Sequence, residues 1–219
     1  MRRIWEWREV EADALFEEAK RLIDSGRIIA LPTETFYALA AHPFQEEALE
    51  RLFSLKERPP EKPVLLLVAN PAMLASVAAE LPATAAALIK AFWPGPLTLI
   101  LPARPGLPVW LTGGTDTVGV RQPRQSVTCR LIHFLGHPVT GTSANRSGQP
   151  PLAAASEVAG EFGDEVPLIL DAGPCPGRLS STIVDLSTPP PRLVRAGAIE
   201  LARLRDVIPD ILVPAETYG

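Results

Sequence analysis

Two cationic side chains one residue apart are the most suggestive chemical feature of the sequence. Lys56 and Arg58 flank Glu57, and Lys62 follows four residues after Arg58. Such a group can clamp a polyphosphate, because a guanidinium presents a fork of donors and an ammonium adds a point charge. The same cations could instead form a solvated helix end, which the helix macrodipole favours. The segment alone leaves both interpretations open.

A second candidate is the run Thr-Ser-Ala-Asn-Arg-Ser-Gly at residues 142–148, directly after a predicted strand at 138–140. Small hydroxyl and amide donors beside a glycine let a backbone approach phosphate closely. A plain turn is the alternative.

Two further segments place hydroxyl groups at predicted strand ends. Pro-Thr-Glu-Thr-Phe-Tyr at 32–37 follows the first predicted strand, where its hydroxyls could bind a small polar substrate or cap a helix. Ser-Ser-Thr at 180–182 precedes another strand, and Arg195 follows the next one. An arginine facing hydroxyl groups suits an anion, and the alternative is a salt bridge from Arg195 to Asp185. The joint occurrence of these segments at strand ends favours a binding site.

Several common chemical motifs are absent from the sequence. It contains no G-x-x-x-x-G-K-[ST] loop, no G-x-G-x-x-G after a strand and no G-x-S-x-G. Its three histidines are His42, His133 and His137; the last two are four residues apart, but Gly136 is expected to end the helix between them. We therefore expect packing or surface roles for them and no metal site. Cys129 and Cys175 lack CxxC spacing, which indicates inert thiols in a reducing compartment.

The elements that must position these residues alternate between buried strands and amphipathic helices, which predicts an α/β layered domain. A single domain is expected over residues 1–208, with a weakly ordered tail at 209–219. Strands are predicted at 27–31, 64–68, 97–101, 118–121, 138–140, 168–171, 182–186 and 192–195. Helices are predicted at 13–25, 46–55, 71–80, 83–92, 126–135, 156–161 and 199–207.

The net charge of −4 hides a strong asymmetry along the 219 residues. Residues 56–155 carry a net charge of +5, whereas the flanking segments carry −4 and −5. The total excludes a strongly basic nucleic-acid binder, but the middle of the chain could meet an anionic ligand. The N-terminus has no apolar signal-peptide core, and the apolar runs are too short to span a bilayer, so a cytoplasmic location without membrane contact is expected.

Taken together, these segments resemble the threonylcarbamoyl-AMP synthase family, whose members are YrdC-like proteins. The matching stretches occur in the family's order over roughly residues 12–200: LPTETFYALAAHP, SLKERPPEKPVLLLV, FWPGPLTLILPA, DTVGVRQP, TGTSANRSGQPP, LILDAGPCPGRLSSTIVDLS and LVRAGAI. The K-x-R pair combined with a later S-x-N is specific. The chain resembles a short, single-domain member of the family.

The resemblance implies an open, twisted α/β sheet with flanking helices and a large concave groove. It also implies a nucleotidyltransferase that forms threonylcarbamoyl-AMP and pyrophosphate from L-threonine, bicarbonate and ATP, with Mg²⁺ accompanying the ATP. The product would supply the threonylcarbamoyl group for the modification of tRNA by partner proteins.

The resemblance further assigns roles to individual positions. Lys56, Arg58, Ser143 and Asn145 match the catalytic nucleotide site. Further ATP-contacting positions correspond to Lys62, Thr117 and Arg195, and the threonine pocket corresponds to Thr35, Arg121, Gly141 and Ser181. Arg121 is the natural partner for the threonine carboxylate. Two positions depart from some relatives, which have a histidine at Leu67 and a serine at Pro151.

The sequence leaves two alternative functions open. One is a YrdC-type enzyme that acts on a different carbamoyl acceptor or amino acid. The other is an RNA-binding module that uses the basic groove, for which binding would fall steeply with salt and need no ATP.

Overall fold

The computed structural model describes residues 3–214 of the chain, which form eleven strands and seven α-helices. The strands are β1 (Ile4–Glu6), β2 (Ile29–Leu31), β3 (Ala38–Ala40), β4 (Leu66–Leu67), β5 (Leu97–Pro102), β6 (Thr117–Arg121), β7 (Val139–Thr140), β8 (Thr142–Ser143), β9 (Leu168–Asp171), β10 (Thr182–Asp185) and β11 (Arg192–Arg195). The helices are α1 (Ala12–Asp24), α2 (Glu46–Lys56), α3 (Ala83–Phe92), α4 (Val109–Thr112), α5 (Ser126–Leu135), α6 (Ala155–Phe162) and α7 (Leu201–Arg205). Three short 3-10 helices cover Glu9–Glu11, Pro71–Ser76 and Gly163–Glu165.

The strands are divided between two open sheets. The first has the order β1-β9-β2-β3-β8, and the second has the order β11-β10-β5-β6-β4-β7. Both sheets mix parallel and antiparallel neighbours: β2 pairs parallel with β9 and antiparallel with β3, and β6 pairs parallel with β4 and antiparallel with β5. The predicted α/β fold with flanking helices is confirmed, and its strands form two open sheets where the resemblance implies one.

The chain passes from the second sheet to the first at one residue, Gly141. This glycine separates β7 from β8, and its amide donates to the Leu65 carbonyl at 2.9 Å. A Cβ added at Gly141 would lie 2.4 Å from Cγ of Leu67, so a side chain here would push into β4. The close passage of the chain beside β4 therefore requires a residue without a side chain at this position.

The hydrophobic core packs the helices onto the two sheets. The side chains of α1 and α5, including Leu15 and Leu131, bury against β2 and β7. The apolar face of α2, with Leu52 and Phe53, packs beside β3 and α6. Helix α3 covers β5 and β6 of the second sheet, with Leu88 fully buried. These layers leave one face of the second sheet free to line a cavity.

Part of the segment predicted as a tail contacts β11. The Leu212 amide donates to the Pro191 carbonyl at 2.8 Å, and the Leu193 amide donates to the Leu212 carbonyl at 2.8 Å. Ile211 is buried. Residues 210–213 therefore pack beside β11, whereas residues 215–219 of the predicted tail lie outside the described part of the chain. Within residues 3–214, none of the helices is long and apolar enough to pass through a lipid bilayer.

Candidate active site

A cavity of about 250 Å³ opens over the free face of the second sheet. Its wall also includes residues of the first sheet, among them Ala38 of β3 and Ser143 of β8. The structure brings together eight of the eleven site residues predicted from the sequence. They are Thr35, Arg58, Thr117, Arg121, Gly141, Ser143, Ser181 and Arg195.

Arg121, the last residue of β6, supplies a buried cation to the cavity wall. Its side chain is only 6% exposed, and its Nη2 lies 3.2 Å from Oε1 of Glu34 and donates to Oγ1 of Thr35 at 3.3 Å. Burial lowers the pKa of Arg121, and the Glu34 carboxylate opposes that effect. The Nε donor is buried and has no hydrogen-bond partner among residues 3–214. A guanidinium that lines a cavity is suited to a ligand carboxylate, because it presents a planar fork of donors.

The loop after β2 holds Thr35 and Glu34 in place. The Thr33 hydroxyl accepts the amide of Thr35 at 3.1 Å and that of Phe36 at 3.3 Å, and it donates to the Phe36 carbonyl at 2.7 Å. It also lies 2.9 Å from the Thr35 hydroxyl. Local hydrogen bonds of this kind favour a turn over a helix. The helix cap considered from the sequence is therefore wrong, since residues 33–37 form a turn whose hydroxyls face the cavity.

Ser181 and Arg195 form a second polar contact in the cavity wall. Arg195 donates through Nη2 to the carbonyl of Ser181 at 2.8 Å and to its Oγ at 3.0 Å. The Ser181 hydroxyl also lies 2.9 Å from that of Thr98. Asp185 instead accepts the amide and hydroxyl of Ser187, so the alternative salt bridge from Arg195 to Asp185 is wrong.

Arg58 reaches the cavity from the loop that follows α2. The helix ends at Glu57, whose φ of +52° turns the chain, and the Arg58 amide donates back to the Phe53 carbonyl at 3.0 Å. The Arg58 guanidinium donates to the carbonyls of Lys62 at 3.0 Å and Pro63 at 2.8 Å. Its pKa is lowered by burial. The guanidinium therefore shapes the loop with neutral acceptors, and no acidic partner for its charge is found among residues 3–214.

The sequence predicts that Lys56 binds phosphate. In the structure its side chain lies beneath the cavity wall. It is 1% exposed, and its Nζ donates to the carbonyls of Ser143 and Asn145, both at 2.6 Å. Its own carbonyl accepts the amide of Ser147 at 2.8 Å. Burial and the neighbouring Arg58 lower the pKa of Lys56 to about 7. Lys56 therefore fastens the segment at 142–148 to the end of α2, and a solvated helix end is wrong for this lysine.

Three other predicted positions fall beside the cavity. Asn145 does not line it, but its Oδ1 accepts the Ser143 hydroxyl at 2.5 Å and its amide group donates to the Gln149 carbonyl at 2.7 Å. The Lys62 side chain is exposed at the end of the Arg58 loop. Pro151 is half-buried outside the wall, whereas Leu67 is buried within it and packs against Gly141.

The sequence alone assigns no role to Glu34, although Glu34 lies between two threonines of the segment at 32–37. Oε2 of Glu34 accepts the backbone amide of Arg124 at 2.8 Å, while Oε1 faces Arg121. A carboxylate fixed by the β6–α5 loop thus orients the buried guanidinium. The sequence signal for such a role was an acidic residue within a hydroxyl-rich segment that follows a predicted strand.

The segments that build this cavity are the ones that carry the sequence resemblance. The model of the Sua5, YciO and YrdC proteins, described as "Telomere recombination", matches residues 21–197. The chain belongs to the Sua5/YciO/YrdC family. The predicted membership is thereby confirmed, and the family match extends from α1 to the residues that follow β11.

Individual members of the Sua5/YciO/YrdC family show the same relationship. The threonylcarbamoyl-AMP synthase of Pyrococcus abyssi is 39% identical over 201 residues, which cover 92% of this chain and 59% of that protein. The threonylcarbamoyl-AMP synthase of Idiomarina loihiensis is 42% identical over 161 residues, covering 71% and 84%. The crystal structure of P. abyssi Sua5 complexed with L-threonine has a TM-score of 0.92 at 37% identity, covering 99% of this chain and 63% of that one. The chain thus spans less than two thirds of the P. abyssi protein.

Proposed function

We propose that this chain is an L-threonylcarbamoyladenylate synthase, a nucleotidyltransferase that acts on L-threonine, bicarbonate and ATP. In the first step the threonine amine attacks bicarbonate, a carbamate forms and water leaves. In the second step a carbamate oxygen attacks the α-phosphate of ATP, the bond from the α-phosphorus to the bridging oxygen breaks, and pyrophosphate leaves. Family membership and the named activity of the P. abyssi and I. loihiensis relatives support this proposal.

The observation that carries the proposal is the Arg121 guanidinium in the cavity wall. A guanidinium beside the Thr35 hydroxyl in that wall is suited to the carboxylate of a small hydroxylated amino acid. The complex of P. abyssi Sua5 with L-threonine supports threonine as that amino acid. Ser181 and Gly141 belong to the same wall and would complete the pocket.

Arg58 and Ser143 would bind the phosphates at another part of the same wall. Negative charge develops on the α-phosphate oxygens and on the departing pyrophosphate, so a cation fixed near them lowers the barrier without a protein nucleophile. Lys56 and Asn145 would act from beneath by holding the turn that presents Ser143. Thr117, Arg195 and Lys62 are the remaining candidates for contact with the nucleotide.

Mg²⁺ would arrive with ATP as part of the substrate. No carboxylate is found among the described residues that line the cavity. This donor set fits an ion that is held mainly by phosphate oxygens and water, as is usual for Mg²⁺ with nucleotides. The product would then supply the threonylcarbamoyl group that partner proteins place on tRNA.

Mass spectrometry of a reaction with threonine, ¹³C-bicarbonate, ATP and Mg²⁺ tests the proposal. We expect threonylcarbamoyl-AMP that carries the ¹³C label, with pyrophosphate in equal amount, and no product when any one substrate is omitted. A carbamoyl-adenylate formed without threonine, or a better product with another amino acid, would favour the alternative YrdC-type enzyme. RNA binding that is independent of ATP, together with no adenylate product, would favour the RNA-binding module.

A further inference from the structure

Two of the three histidines meet where the two sheets approach each other, outside the cavity wall. His42 follows β3 of the first sheet by two residues, and His137 precedes β7 of the second sheet by two residues. Their ring centroids are 4.4 Å apart. Asp24, the last residue of α1, joins them, and one potential ligand atom from each of the three residues lies within 4.8 Å of the others. His133 lies on the exposed side of α5 and takes no part in this cluster.

The imidazole of His137 is prepared as a ligand. Its Nδ1 lies 2.7 Å from the Pro138 carbonyl. A carbonyl can only accept, so this bond places the proton on Nδ1 and the lone pair on Nε2. The Nε2 atom is buried and has no hydrogen-bond partner among the described residues. A histidine whose other nitrogen donates to a backbone carbonyl is the usual arrangement of a metal ligand, because that bond fixes the tautomer and orients the ring.

The other two residues provide compatible donors. The His42 imidazole offers a ring nitrogen within the cluster, and its ring lies against that of His137. The Asp24 side chain is 45% exposed and can rotate toward the rings. Donor atoms around a tetrahedral zinc ion, with bonds of about 2.0–2.1 Å, lie roughly 3.4 Å apart. Small side-chain rotations would therefore bring the three donors from the present separation to that geometry.

We propose that Asp24, His42 and His137 form a binding site for one divalent transition-metal ion of the zinc class. Two imidazoles and one carboxylate are donors that zinc accepts, and three protein ligands leave a fourth position for water. The site is independent of the proposed synthase chemistry. A bound ion would connect the end of α1 to both sheets. Its ligand His137 lies just before β7, from which the chain continues through Gly141 into the cavity wall.

Two hydrogen-bonding contacts of the proposed ligands would compete with a bound metal ion. Lys20 Nζ lies 2.5 Å from Oδ2 of Asp24, so its charge opposes a cation and occupies one carboxylate oxygen. The Phe44 amide donates to Nδ1 of His42 at 3.2 Å. Coordination through Nε2 of His42 would place the proton on Nδ1 and sacrifice this long hydrogen bond. We therefore expect removal of the Lys20 charge to strengthen metal binding.

Calorimetric titration of the full, tag-free chain with ZnCl₂ tests the site, with His133→Gln as the matched control. We expect one ion per chain in the wild type and in His133→Gln, with binding weakened roughly 100-fold or more in His137→Gln and His42→Gln. Lys20→Gln should bind more tightly than the wild type. Zinc at about 100 times the Kd of the wild type should raise the Tm of the wild type by about 5–10 °C, and the same concentration should raise that of His137→Gln by no more than about 1–2 °C.

A parallel titration with CoCl₂ provides a direct view of the ligands, since bound Co²⁺ absorbs in the visible range. We expect that absorption in the wild type and in His133→Gln and its loss in Asp24→Asn, a substitution on an exposed side chain that should not disturb folding. Absence of a one-to-one site in the wild type would overturn the proposal. Equal weakening in His133→Gln and His137→Gln would also overturn it, because the metal would then bind surface histidines without selection.

Discussion

Arg121 and Arg58 line one cavity, but the fold holds their charges in opposite ways. Arg121 is buried in β6 and faces the Glu34 carboxylate at 3.2 Å. Arg58 lies in a loop, and its side-chain acceptors among the described residues are the Lys62 and Pro63 carbonyls, which carry no net charge. Removing a charge from water is costly unless a partner compensates it, so the more deeply buried arginine has the carboxylate. The less buried one can leave its charge available to an anion.

This difference indicates how the two arginines would discriminate between ligands. The pair of Arg121 with Glu34 is close to neutral, so it would select a ligand by the geometry of a planar donor fork. Arg58 and the adjacent Lys56, whose pKa is lowered to about 7, form a cationic centre without an acidic partner among residues 3–214, and this centre would attract any polyphosphate. Substitutions at the two arginines can separate geometric selection from charge attraction.

Removal of the uncompensated charge should have the largest effect on turnover. For Arg58→Ala we expect pyrophosphate release with saturating substrates to fall about 100- to 1,000-fold, because a preorganised donor to the developing charge is lost. The exposed Lys90, on α3, provides the control: Lys90→Ala also removes one positive charge and should keep wild-type turnover. Near-normal turnover in Arg58→Ala, measured by a coupled pyrophosphate assay, would refute its role.

Arg121→Lys tests whether the geometry of the guanidinium selects threonine, since this substitution keeps the positive charge and removes the fork of donors. We expect the KM for threonine to rise about 10- to 100-fold, the equivalent of one charge-assisted hydrogen bond, while the KM for ATP stays unchanged. Arg124→Lys, in the exposed loop after β6, is the matched control and should change neither constant. A parallel rise in both KM values would show that Arg121 does not discriminate between the two substrates.

Whether the sequence predicts a structural feature depends on whether neighbouring residues or residues far along the chain determine that feature. Helices at 83–92 and 126–135 match α3 and α5, because a repeat of buried side chains specifies both, and because Pro94 follows α3 and Gly136 ends α5. Strands β3 and β8 were missed, since two or three residues carry no measurable alternation and only their partners define them. The residues of the cavity follow from the resemblance, but the burial of Lys56 and the pairing of Glu34 with Arg121 depend on contacts about 87 residues away along the chain.

Lys56→Met should reduce stability more clearly than any exposed lysine does. The substitution keeps much of the buried aliphatic chain but leaves the Ser143 and Asn145 carbonyls without their donor, which costs about 1–3 kcal/mol of unfolding free energy. Lys62→Met, on the exposed part of the same loop, should stay within about 0.5 kcal/mol of the wild type. Urea unfolding measures both, and equal midpoints for the two variants would contradict the role of Lys56 as a fastener.

The smallest effect is a proton taken up on ATP binding, and it is specific to the cationic centre. Burial and Arg58 lower the pKa of Lys56 to about 7, so at pH 8 most free molecules carry a neutral amine there. A polyphosphate bound nearby favours the charged form and raises that pKa. ATP binding at pH 8 should therefore take up a fraction of a proton, and ATP affinity should weaken as the pH rises from 7 to 9, because the bound state holds more protons. Calorimetry in two buffers of different ionisation enthalpy measures the uptake directly. Lys56→Met should abolish it while Lys62→Met retains it, and an equal uptake in both variants would place the titrating group elsewhere.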